Sequence, residues 1–140
     1  MKFLTKDDFK AVCDDQTLAV INQQSDENMT RAENYAIEEM SSYLRSKYNV
    51  DKVFAATGEE RNAQIVMLAC DIALYHLIAW LPKRIGFEIR ELRYKRAIEW
   101  LESVQASKAS PNLPPLTSED GNKIISPFRY GSWHKNNYEY

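Results

Sequence analysis

The sequence predicts an all-α protein: a small antiparallel bundle of three longer helices, with short helices before them and an extended arm after them. Three observations predict it. Apolar residues recur at three- and four-residue steps in two long stretches, and an apolar run of helical length lies between them. Proline is held back to the end, with four of the five prolines after residue 105. A chain of 140 residues suits one domain with its own core. The division expected is a helical body over residues 1–105 and a Pro-rich, aromatic extension over 106–140.

The elements follow in order. Thr5 with Asp8 is close to a capping box, the shorter Asp standing in for Glu, and opens a short turn through Phe9 and Val12. A second short helix is expected over 17–22. Ser25 or Thr30 can cap the next helix, where Ala32, Ala36, Ile37, Met40, Tyr43 and Leu44 make one apolar stripe ending near Tyr48. Residues 49–58 lack a helical period and contain β-branched residues and Gly58. They are read as a loop, with a brief extended piece at 52–54, that returns the next helix antiparallel. That helix is expected over 59–81, stopped by Pro82, with a tight connection at 83–86. The last helix is expected over 87–104.

The two later helices carry complementary misfits. Phe87, Arg90, Tyr94, Ala97, Leu101 and Val104 form a seam at alternating steps of three and four. On the preceding helix the seam is Gln64, Leu68, Asp71, Tyr75 and Ile78. A buried carboxylate without a partner is costly, whereas a guanidinium satisfies its oxygens. An Asp71 to Arg90 pair is therefore expected, with Arg93 as the alternative partner.

The same reasoning argues against a reaction centre. Asp71 and His76 are five positions apart, about 140° around a helix, so they cannot act on one atom. Two histidines and two cysteines at no ligand spacing argue against a metal site, and no glycine-rich phosphate loop is present. No catalytic residue, cofactor or metal is expected, and the chain is read as no enzyme. His76 is read as a half-buried helix residue and Cys70 as a small core hydrophobe. Cys13 and Cys70 are expected to be free thiols of a reducing compartment. The opening MKFLTKDDFK meets charge after two apolar residues, so no export signal is expected. The apolar run at 65–81 is short for a membrane span and carries a carboxylate at its middle, so no membrane partner is expected. With 18 basic and 20 acidic residues, no positive field is present to hold polyanions.

The last 13 residues hold Phe128, Tyr130, Trp133, Tyr138 and Tyr140. A buried aromatic side chain removes roughly 150–250 Å² from water, so this run is expected to dock on its own chain or on a partner. Arg129, His134 and Lys135 lie between the rings, but acidic residues dilute them for nucleic-acid binding.

Three segments in order carry a family resemblance: RAENYAIEEMSSYLRSKYNV at 31–50, CDIALYHL at 70–77 and EIRELRYKRAIEWLESV at 88–104. Over about residues 3–105 the chain resembles the phage head-tail connector family of the Mu-like prophage type. The matching fragments include SYL-x3-Y and RYK-x-A-x-x-WL, and none is a catalytic signature. The chain departs from the family pattern in its longer aromatic C-terminus and its longer loop around 52–61. The resemblance implies a structural protein of a tailed phage or prophage, an adaptor at the head-tail interface, made in the host bacterial cytoplasm. It implies a homo-oligomeric ring, twelve copies by analogy, bound to the portal protein and to tail or other neck proteins, with DNA only as cargo passing through. Arg61, Lys83 and Arg84 are weak candidates for lining or docking. The alternative is a small helical DNA-binding or regulatory protein. Arg90, Arg93, Lys95 and Arg96 would serve it, diluted by Glu88, Glu91 and Glu99.

Overall fold

A computed structural model of the chain describes residues 1–23, 25–79 and 86–117. Among them the backbone forms α1 (Lys6–Lys10), α2 (Asp15–Ile21), α3 (Asp26–Leu44), α4 (Val50–Ala55), α5 (Ala63–Ile78) and α6 (Phe87–Gln105), with a 3-10 turn at Gly58–Glu60. The described residues hold no strand, and the protein is the small all-α bundle that the periodicity predicts.

Side chains close the helix starts. Thr5 and Asp8 complete the capping box reciprocally, and Asp14, Ser25, Asn49 and Asn62 cap α2, α3, α4 and α5. Each such cap is worth about 1 kcal/mol. Ser25, not Thr30, begins α3 by accepting from the Asn28 amide. Gly86 precedes α6 at φ 67°, a left-handed backbone that glycine adopts without strain.

Helix α5 is the axis. Ten of its 16 residues are buried, from Ile65 to Ile78, so it is apolar nearly all round, as a helix walled by neighbours must be. It packs against α3 and α6 along its length and against α1 and α2. Glu39 meets Tyr94, and farther along both helices Lys47 reaches the Val104 carbonyl, so α3 and α6 run parallel. Helix α5 runs against both: Asn62 at its start donates to the Asn112 carbonyl, just beyond the end of α6. The expected seam of α6 faces inward, with Ala97, Leu101 and Val104 buried and Phe87 and Tyr94 packed at the core's edge.

Two sequence expectations change. Residues 50–55 are helical rather than loop or extended: Asn49 accepts from the Lys52 amide and Val53 is buried beneath. A helix of under two turns is too short to show a period. The helix expected from residue 59 begins at Ala63 instead, because the Asn62 side chain takes the Gln64 and Ile65 amides. Its expected end at Pro82 and the connection at 83–86, except Gly86, lie outside the described residues.

The chain after α6 returns to the body. Ser107 turns it at φ 63°. Leu113 is then buried, the Asn49 amide donates to the Pro114 carbonyl at 2.9 Å, and the Leu116 amide donates to the Lys47 carbonyl at 3.2 Å. Tyr48 and Pro115 form one antiparallel bridge. Residues 106–117 thus lie on the helices although they are not helical.

At the other end of the chain, Glu33 is 1% exposed and accepts the amides of Lys2 and Phe3 at 2.9 Å and that of Leu4 as well. One buried carboxylate thereby pins the N-terminal segment to α3 and seats Phe3 and Leu4 in the core.

Candidate functional site

Asp71 is 4% exposed, and its Oδ1 accepts from Arg93 Nε at 2.6 Å. The first-choice partner, Arg90, is elsewhere. The rings of Tyr75 and Tyr94 stack at 4.0 Å, which sets the α5–α6 register. In an antiparallel pair with Tyr75 opposite Tyr94, Asp71 is opposite Ile98, and Arg90 lies about 12 Å farther along the helix at 1.5 Å per residue. Arg93 is nearer by one turn. Arg90 reaches the other way and donates through Nη2 to the Val12 carbonyl at 2.9 Å, tying the α1–α2 junction to α6. Among the described residues its Nη1 is buried with no hydrogen-bond partner.

A second cluster joins all three long helices. Glu39 of α3 takes His76 Nε2 at 2.9 Å on one carboxylate oxygen and the Tyr94 hydroxyl on the other. His76 holds the Glu39 carboxyl below its ordinary value against the opposing effect of burial. Burial and this same carboxylate push the Tyr94 phenol well up. Both carboxylate oxygens are engaged, so Glu39 orients His76 and ties the helices together. His76 is half-buried, as its position on the helix suggested.

A third tie closes the start of α5. Arg61 pairs with Asp8 at 2.6 Å, donates to the Phe3 carbonyl at 2.8 Å, and lies 5.8 Å from the Phe3 ring centre. Burial alone would raise the Asp8 carboxyl, but Arg61 and Thr5 outweigh it and hold it below its ordinary value. Arg61 therefore has its charge satisfied inside the fold, not at a docking surface. Lys83 and Arg84 lie outside the described residues, as do Phe128, Tyr130, Trp133, Tyr138 and Tyr140.

One cavity stands beside these ties. It measures about 230 Å³ and lies between α2, α3 and α5. Ile21, Ala32 and Leu77 give it an apolar lining, and Arg31, Tyr35 and His76 also border it. Tyr35 and His76 meet edge to face at 5.8 Å. Among the described residues no three His, Cys, Asp or Glu side chains group to hold a metal ion, and no helix is long and apolar enough to cross a membrane. Two of the four basic residues of α6 are spent within the fold, while Lys95 and Arg96 are exposed. Arg90 and Arg93 reach other elements of the body, and Lys95 pairs with Glu91 at 3.2 Å.

Sequence reasoning missed Glu33, Glu39 and the cavity. Glu33 had a signal: it stands four residues after Met29 and three before Ala36, on the buried stripe itself.

Comparison with known families decides what kind of protein this is. The family described as Bacteriophage Mu, Gp36 matches residues 2–125. The chain belongs to the Bacteriophage Mu, Gp36 family. Nothing among curated proteins or solved structures matches it. The match of this Gp36-family protein runs past residue 105, where the resemblance was expected to stop, and takes in the returning segment at 106–117. The aromatic run from Phe128 onward lies beyond the match.

Proposed function

We propose that this phage protein is a structural component of the virion: a head-tail adaptor whose copies form a ring, twelve by analogy, between the portal and the tail or further neck proteins. DNA passes through the ring as cargo, and the protein catalyses no reaction. The observation that carries this reading is the division of polar and apolar groups. The interior charges of Glu33, Asp71, Asp8 and Arg61 are satisfied within the fold, while Val20, Tyr35, Met67, Ile89 and Leu92 are 43–51% exposed. Single exposed apolar residues mean little. Ile89 and Leu92, however, stand one turn apart on α6, and Tyr35 stands beside a cavity, so these surfaces suit contact with other subunits. A ring subunit needs two unlike patches that meet head to tail. The body offers one and the aromatic C-terminal run the other.

Sedimentation velocity and electron microscopy of the full chain, alone and with its portal, test this. A ring with a central channel that co-migrates with the portal is expected. A protein that stays monomeric with the portal and retards duplex DNA at about 150 mM salt would replace this reading with a nucleic-acid regulator.

A further inference from the structure

We infer that residues 110–117 are a releasable strap: a unit that lifts off the bundle while the helices stay folded, and so moves the point at which the chain beyond residue 117 leaves the body. Such an opening belongs to the single chain, whatever its assembly.

The strap begins after a turn that belongs to α6. The amides of Lys108 and Ala109 both donate to the Ser103 carbonyl, at 2.8 and 3.2 Å, and Lys47 Nζ holds the Val104 carbonyl and the Ser107 hydroxyl. Ser107, at φ 63°, therefore stays with the helix end, as a left-handed residue closing a helix does. Beyond Ala109 the ties thin out. Of residues 110–117 Leu113 alone is buried. Asn62 Nδ2 donates to the Asn112 carbonyl at 3.3 Å, the Asn49 amide to the Pro114 carbonyl at 2.9 Å, and the Leu116 amide to the Lys47 carbonyl at 3.2 Å. Lys47 thus grips the end of α6 with its side chain and the strap with its backbone.

Those ties close the strap without making it one unit with the bundle. A single buried side chain and hydrogen bonds near the surface mark a segment that opens locally, whereas α5 buries ten of its 16 residues and releases its amides when the bundle unfolds. Pro111, Pro114 and Pro115 fix φ at three of the strap's eight positions, so the lifted strap has fewer conformations to lose when it closes again. The Asn49 and Leu116 amides flank one bridge, Tyr48–Pro115, so one opening bares both. Closed, the chain leaves the body at Thr117, beside Lys47. Open, it leaves at Ala109 with eight more residues free, roughly 26 Å of added reach at about 3.3 Å per residue.

Native-state hydrogen exchange of the full-length protein, followed by NMR over a series of low urea concentrations, tests this. After correction for intrinsic rates, the Asn49 and Leu116 amides are expected to share one protection factor, at least about tenfold below that of Ile72 and Leu74 in α5, and to depend on urea far more weakly, since little surface is bared when the strap lifts. A mild core change, Ile72→Val, should quicken exchange in α5 about fivefold, as loss of one buried methyl group does, and leave Asn49 and Leu116 as they were. Leu113→Ala should quicken Asn49 and Leu116 by one common factor. The same protection and urea dependence at all four amides would overturn the inference, because the strap would then open only with the bundle. Absence of protection at Asn49 and Leu116 would overturn it too, since the strap would never close, and so would unequal responses of these two amides to Leu113→Ala.

Discussion

Arg93 and Asp71 meet across the α5–α6 interface at 2.6 Å but are unequally buried: the arginine side chain is 32% exposed and the aspartate 5%. The two halves of the pair should therefore respond differently to loss of the other. Arg93→Met strands a carboxylate in the core and should destabilise by about 3–5 kcal/mol. Asp71→Leu leaves a guanidinium that can turn to water and should lose clearly less. Urea unfolding of both single variants and the double variant measures the difference and the coupling. Equal losses would mean that Arg93 is as trapped as Asp71.

Glu33 holds three backbone amides with one carboxylate. Glu33→Gln turns an accepting oxygen into a donor facing a donor, and should lose about 2–4 kcal/mol. Hydrogen exchange at Lys2, Phe3 and Leu4 should quicken by far more than exchange in α5. Uniform quickening would show that the N-terminal segment and the central helix open together.

Acid should weaken the fold through Asp8 and Glu39. Their ordinary values are 3.8 and 4.5, and both are lowered in the folded chain, by Arg61 and Thr5 in one case and by His76 and Tyr94 in the other. In that range the unfolded chain binds more protons, so stability rises with pH. The contribution is complete above about pH 5 and is lost as pH falls through the folded-state values. Arg61→Gln and Tyr94→Phe should each reduce the slope of stability against pH between about 3 and 5, and an unchanged slope would place the acid response elsewhere.

Cutting after Thr117 and cutting after Gln105 should differ. The first removes nothing from the described body and should leave the unfolding midpoint of the monomer in place. The second takes away buried Leu113 and the hydrogen bonds to Lys47 and Asn49, and should lose about 2–4 kcal/mol. Thermal unfolding by circular dichroism at low protein concentration compares them.

How far the sequence could be read follows from the length of each pattern. Helices α3 and α6 run 19 residues each, long enough for a three-four stripe to mark which face turns inward. The Thr5–Asp8 box was legible because its residues are three positions apart. Helix α4 was not, since six residues hold no repeat. Asp71 announced that it needed a cation, but choosing between Arg93 and Arg90 required the register set by Tyr75 against Tyr94. Glu39, His76 and Tyr94 come from three helices, and no local spacing connects them. The cavity arises where α2 crosses the other helices, a matter of tertiary placement alone.

Both cysteines are buried, and burial pushes each thiol above its ordinary value, Cys70 most strongly. Alkylating reagents attack the thiolate. At neutral pH the native chain should thus stay unmodified until it opens. Cys70 on the central helix would then time global unfolding, while Cys13 between α1 and α2 would time the release of that corner. The molecule carries two internal stopwatches, readable by mass spectrometry without any engineered label.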